Sequence, residues 1–171
     1  MKAKNIMPTR IGSFKGVWNF MSNFYPVGVK LFIDEAGMIW DTPIPGCIEE
    51  VYYSVEAAFQ AAKFLDPKIR ARFQLQGLSG SQAKNMAVYL KNKGLVRADW
   101  QDVSLGYMRG LLIQKFRYSI LRRKLISTFG AELVEGNWWH DNFYGDCLCE
   151  DCANIPGQNH LGRLLMEVRA L

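Results

Sequence analysis

Between Val51 and Pro67, apolar residues recur at helical spacing, with Val55, Ala58, Phe59 and Ala62 at i, i+3, i+4 and i+7. Ser54 precedes the run as a natural N-cap, and Asp66-Pro67 predicts its end, because proline disfavours helical geometry in the residue before it. Glu56, Gln60 and Lys63 fall on the other side, in a single file given about 100° per residue. Phe59 borders that file on one flank, and Phe64 with Ala57 on the other. A polar stripe on a core helix ordinarily faces water. One this narrow, with a carboxylate, an amide and an amine in line, also fits the wall of a pocket that grips a small polar substrate.

The remaining pattern predicts a few short strands followed by helices. Residues 11–26 are dense in aromatics and turn formers and read as a strand followed by a loop. Val27 to Ile33 alternates, Asp34-Glu-Ala-Gly37 supplies a turn and Met38-Ile-Trp40 returns, which predicts a hairpin. Val51 to Tyr53 reads as one more short strand leading into the helix. Helices are predicted near 67–76, 80–93, 102–117 and 119–128, with Trp100 just ahead of one of them as a core plug or a stacking surface. Glu132 to Glu135 reads as a short strand. Gly136 to Gln158 lacks periodicity and carries Trp138, Trp139, His140, Asp141, Phe143, Tyr144 and Asp146, so rings and carboxylates alternate in a long loop. A last helix runs from Gln158 to Arg169 with Asn159 as its cap. Gly162 within it predicts the close approach of another backbone or a ligand.

Composition alters this picture little. A chain of 171 residues, 49% hydrophobic and 22% charged, reads as one domain over 1–171, able to bury a core without disulfides. The opening Met-Lys-Ala-Lys-Asn-Ile-Met-Pro lacks the apolar run of a targeting signal, and no segment is apolar enough to span a membrane, so the expectation is a cytoplasmic protein without a membrane partner. Charge is uneven. Residues 1–131 hold 19 Lys or Arg against 9 Asp or Glu, whereas 132–151 hold six acids and no Lys or Arg. Basic positions such as Lys68, Arg70, Lys84, Lys91, Arg97 and Lys115 suit a phosphate-bearing or nucleic-acid partner, and solvated helix faces account for most of them equally well.

Cys147, Cys149 and Cys152, with His140 or His160 nearby, offer four ligands for tetrahedral zinc. A non-enzymatic zinc-knuckle module binding nucleic acid is thus one functional class. The spacing contains one Cys-x-x-Cys pair and no second, which predicts less than one zinc per chain and leaves reduced thiols in a loop as the plain alternative.

Several separated stretches together resemble the NADAR family. They are Phe14-Lys-Gly16, Ser22-Asn-Phe24, Ser54 through Phe64, Asp99-Trp100, Lys115-Phe116, Leu133-Val-Glu135, Asp141-Asn-Phe-Tyr-Gly145 and Gly157 through Met166. The resemblance implies a mostly helical α+β fold and an N-glycosidase that cleaves ribose C1–N bonds; no cofactor is expected to be required, and structural zinc is suggested by the cysteine loop alone. The substrates implied by the resemblance are ADP-ribosylated guanine in nucleic acid or, alternatively, phosphoribosyl intermediates of riboflavin synthesis. It places the family's important residues on Glu56, Lys63, Trp100, Glu135, Asp141 and Asn159; the catalytic residues expected are Glu56, Lys63, Glu135 and Asp141, and the substrate-binding residues expected are Asn23, Phe24, Gln60, Trp100, Tyr144, Asn159 and Gly162. Tyr144 stands where the family usually has Trp, an exchange that keeps a ring and adds a hydroxyl, and so bears on substrate preference.

Such chemistry needs positive charge stabilised at the anomeric carbon, a proton for the departing nitrogen, and an activated water or nucleophile. Carboxylates can serve all of these needs. Lys63 can instead attack an opened ribose as a Schiff base, provided its pKa falls from the usual value of about 10.4. Phe59 and Phe64 would favour that fall by desolvation, and Glu56 would oppose it.

Overall fold

The computed structural model describes residues 8–171; most of the opening segment read for a targeting signal lies outside them. In chain order the elements are β1 (Arg10–Ile11), β2 (Pro26–Ile33), β3 (Ile39–Trp40), β4 (Ile48–Ser54), α1 (Val55–Ala61), α2 (Pro67–Arg70), α3 (Gly80–Lys91), α4 (Trp100–Lys115), α5 (Ser119–Ile126), β5 (Glu132–Leu133), β6 (Gly136–Asn137), β7 (Asp146–Cys147) and α6 (His160–Ala170). Short 3-10 turns occupy Gly16–Met21, Ala71–Phe73 and Glu150–Cys152. The architecture is α+β, and no helix among the described residues is long and apolar enough to cross a membrane.

The chain divides into two units. One is continuous, Asn23–Arg117, and the other joins the chain through Ser22 to Tyr118–Leu171.

In the continuous unit, β2 lies between β3 and β4 in an antiparallel sheet, with Phe32 opposite both Trp40 and Glu49. The predicted hairpin is therefore present. The third strand is longer than Val51–Tyr53: it runs seven residues from Ile48 to Ser54, six of them paired with β2, and Tyr52 is completely buried. Helix α1 follows without a break, and the Ser54 hydroxyl accepts the Ala57 N–H at 3.1 Å, as a cap should. The helix stops at Ala61, earlier than Asp66-Pro67 predicts. Asp66 opens α2 instead, accepting the Lys68 N–H at 2.8 Å ahead of Pro67 in the first turn, where a missing N–H costs nothing. Lys63 thus sits in the turn after α1, its N–H bonded to the Gln60 carbonyl.

Helix α1 packs against α3, α4 and the sheet, so every one of its residues is buried. Three basic residues read as solvated are also core. Arg70 is 2% exposed and makes two bonds to Glu50, at 2.8 and 2.9 Å, plus bonds to the Phe64 and Leu65 carbonyls. Arg97 pairs with Asp99, and Lys115 is fully buried with the Tyr25 and Phe116 rings about its amine. A buried cation must be paired or ring-lined to offset desolvation, and these are.

In the second unit β1 pairs in parallel with β5, and β6 in parallel with β7. Helices α5 and α6 pack together, with Leu121, Leu125, Leu161, Leu165 and Val168 as core. Asn159 precedes α6 as expected but does not cap it through its side chain. It holds a left-handed backbone (φ 51°), accepts the Glu135 N–H at 3.1 Å and donates to the Leu133 carbonyl at 2.9 Å. A distant strand has claimed the amide. The close approach predicted at Gly162 is that of a backbone: a Cβ there would run into the Leu133 carbonyl.

Candidate active site

The α1 stripe faces protein rather than water. Glu56 and Gln60 are 4% and 5% exposed, and the Gln60 amide donates to Glu56 at 2.8 Å, the partner a buried carboxylate requires. One turn further, the Lys63 amine lies 5.7 Å from the Phe59 ring centroid and 5.6 Å from that of Trp100. Trp100 in turn packs on Phe59 at 4.9 Å and stacks on Tyr107 at 6.1 Å. Trp100 is the first residue of α4, so the Arg97–Asp99 ion pair just ahead of it fixes where this ring stands. The Arg97 N–H also donates to the Lys63 carbonyl at 2.9 Å, tying the lysine's backbone to the same turn.

These surroundings alter the amine. Burial lowers the Lys63 pKa, the Glu56 carboxylate opposes the fall, and the positive charges of Lys91 and Lys84 assist it, leaving the group at about 8. A neutral fraction on the order of a tenth therefore exists at pH 7, far more than an ordinary lysine offers, as a nucleophilic amine requires.

Asn23 lies beside Glu56, since its carbonyl accepts the Glu56 N–H at 3.0 Å. Its side-chain amide donates to the Met108 sulfur at 3.4 Å, while its side-chain oxygen, like that of Gln60, is buried and makes no hydrogen bond. Two buried acceptors without donors are uncommon in a finished core and suit a ligand that brings N–H or O–H groups. Phe24 is partly exposed and packs on Gly80, where a Cβ would collide with its ring, and the Lys84 amine lies 5.8 Å from that ring. The continuous unit thus gathers Asn23, Phe24, Glu56, Gln60, Lys63 and Trp100. Lys84, Lys91 and Arg97 join them although the sequence reading left them among scattered basic positions. Only Arg97, two residues from Asp99, carried a local signal.

The second unit holds the other predicted residues. Asn137 organises the loop: its amide donates to the Asp141 carbonyl at 2.7 Å, and its side-chain oxygen accepts the N–H groups of Trp139 and Asp141. The Asp141 carboxylate accepts the Phe143 and Tyr144 N–H groups at 3.2 and 2.9 Å, so one of its oxygens is engaged in holding the turn. Glu135 borders the same loop, its carbonyl accepting the Asp146 N–H. Tyr144 meets Phe143 edge-on at 5.0 Å, and its carbonyl accepts the Leu161 N–H. Asn159 and Gly162 are fixed to β5 as described above. A shallow cavity of about 170 Å³ in this unit, lined by Arg10, Gly12, Val134, Gly136, Asp146 and Leu148, contains none of the predicted site residues.

In the same loop His140 Nδ1 lies 3.3 Å from the Cys149 sulfur and 3.4 Å from that of Cys152, and the Cys147 and Cys149 sulfurs are 3.3 Å apart. His160 is turned elsewhere, toward Gln158 at 2.9 Å.

The chain thus presents an α+β scaffold with a carboxylate, an amide and a desolvated amine in file along one helix and its closing turn. The NADAR domain matches residues 14–171, and the chain belongs to that family. It is 32% identical over 173 residues to the chloroplastic riboflavin biosynthesis protein PYRR of Zea mays, a match covering 95% of this chain and 25% of that protein. It is 34% identical over 131 residues to N-glycosidase YbiA of Shigella boydii, covering 76% and 74% of the two chains. The NMR structure of E. coli YbiA superposes with a TM-score of 0.69 at 28% identity, over 99% of this chain and 88% of the other. The chain thus spans about a quarter of the plant protein and about three quarters of the Shigella one.

Proposed function

We propose that this protein is an N-glycosidase that hydrolyses a ribose C1–N bond, with ADP-ribose attached to guanine in nucleic acid as its substrate. The observation that carries the reading is the Lys63 amine, its pKa lowered to about 8 beside the packed Phe59 and Trp100 rings, on the same polar file as buried Glu56. Lys84 and Lys91, close enough to lower that pKa, supply positive charge for a substrate bearing phosphates. The partly exposed ring of Phe24 adds stacking surface for a base.

In the covalent route, neutral Lys63 bonds to C1 of the ring-opened sugar, and the C1–N bond to the base breaks as the departing nitrogen takes a proton. Water then hydrolyses the imine, giving the free sugar and the original amine. In the direct route, water adds its oxygen to C1 and its proton passes to the leaving nitrogen through a carboxylate. Glu56 serves proton transfer in both, and Glu135 and Asp141 enter on the family resemblance.

A second substrate class is favoured by one specific finding, the similarity to a riboflavin biosynthesis protein, which points to phosphoribosyl intermediates of that pathway. Offering purified protein both guanine-ADP-ribosylated DNA and those intermediates, with product detected by mass, decides between them. Product from the DNA in catalytic excess over protein is the expected result. Release from the small intermediates alone would transfer the proposal to them, and binding without any product would overturn the enzyme reading.

A further inference from the structure

We propose that His140, Cys147, Cys149 and Cys152 bind one zinc ion in a closed, four-coordinate structural site. The spacing alone did not argue for stoichiometric metal, and the folded positions do. All four ligand atoms lie within 4.8 Å of one another, with the shortest separations at 3.3 to 3.4 Å. In a tetrahedron with Zn–S of about 2.3 Å and Zn–N of about 2.0–2.1 Å, ligand atoms stand roughly 3.5–3.8 Å apart, so a metal needs the short pairs to open by a few tenths of an ångström and the widest to draw in by about 1 Å. The donor set, three thiols and one imidazole, is among the commonest for structural zinc, and it leaves no position for a catalytic water.

The backbone around the cluster supports the same reading. His140 holds a left-handed conformation (φ 63°) although it is not glycine, a strain that persists where neighbours dictate it. In that conformation its N–H donates to the Cys147 sulfur at 3.3 Å, while Asn142 accepts the Cys147 N–H at 2.8 Å. Cys147 and Cys152 are buried, Cys149 is half-buried and His140 is exposed, which leaves an entry path for the ion. His140 comes from the 138–142 turn, and Cys147, Cys149 and Cys152 come from the run that ends β7 and enters the 3-10 turn Glu150–Cys152, so one ion ties two pieces of chain together. His140 directly precedes Asp141, and the metal therefore also holds the turn that Asp141 caps.

The test is metal analysis of the chain expressed with added Zn²⁺. One zinc per chain is expected in the wild type, falling to below about a fifth in Cys149→Ser and in His140→Ala, since apparent zinc affinity rests on the complete donor set. Cys47→Ser, outside the cluster, should keep its zinc. A readout that needs no variant is Co²⁺ added to the apo protein, which should give the intense visible bands of tetrahedral cobalt with thiolate charge transfer, bleached by Zn²⁺. Chemical blocking of the thiols should also release zinc to a chromogenic chelator in a 1:1 ratio with protein. Wild-type protein holding less than about a fifth of an equivalent and giving no tetrahedral cobalt spectrum would overturn the proposal. So would zinc retained in full by both Cys149→Ser and His140→Ala.

Discussion

Lys63 is costly to keep charged where it is, and that cost has a sign. Its folded pKa, about 8, lies below the ordinary 10.5, so the folded state binds fewer protons than the unfolded one between those values. The destabilisation is fully present below about pH 8 and fades as pH rises toward 10.5. Replacing Lys63 with Met should therefore raise Tm at pH 7, by a margin that shrinks in parallel scans near pH 10; an unchanged Tm across that range would contradict a desolvated amine. The same substitution should abolish turnover. For the wild type, kcat/KM should climb through an apparent pKa near 8 if the neutral amine is the nucleophile, and borohydride added during turnover should leave the sugar as extra mass on the Lys63 peptide. Glu56→Gln should lower kcat by about a hundredfold with the fold retained by circular dichroism, the usual worth of a positioned carboxylate. These residues were legible in the sequence because their file was narrow and bordered by rings. Their burial was not, because periodicity tells which positions share a face and not what covers that face.

Among the elements, α6 shows how a local rule can be outbid. An Asn ahead of a helix ordinarily caps it, but Leu133 and Glu135, more than twenty residues upstream, offer that side chain two strand bonds instead. No window around Asn159 contains them. Asn159→Ala should cost about 1–3 kcal/mol in urea unfolding, since it strands a buried carbonyl and an N–H together. Gly162→Ala should cost more than the Asn159 change, because the methyl meets the Leu133 carbonyl rather than a yielding side chain. A neutral Gly162→Ala would show that α6 can slide from β5. The early end of α1 has a comparable cause: Asp66-Pro67 is a start signal for α2 as much as a stop signal, and the sequence did not distinguish the two. The hairpin and the order of the helices were readable, since each rests on contacts within a few residues.

For the molecule as a whole, the formal charge of +5 overstates the free positive surface, because Arg70, Arg97 and Lys115 are buried. Binding to ADP-ribosylated DNA should still weaken as salt rises, through release of counterions from phosphates, and titrations at several salt concentrations should give a negative slope. Salt-independent affinity would leave the basic side chains as solvated surface only. The division of the chain has a different bearing, on the order of events at the ribosome. Asn23–Arg117 is continuous and holds the α1 file and Trp100, so all its contacts are available once Arg117 has emerged. The other unit must wait for its second half: β1 finds β5 across 122 positions, Arg10 meeting Glu132, and the zinc ligands emerge later still. At roughly 5–20 residues per second, the remaining segment takes several seconds to appear. During that interval the Lys63 half can already be folded while Arg10 and Ile11 have no strand to join, so a nascent chain stalled once Arg117 has cleared the exit tunnel should protect Lys63 from proteases and leave Arg10 open to them.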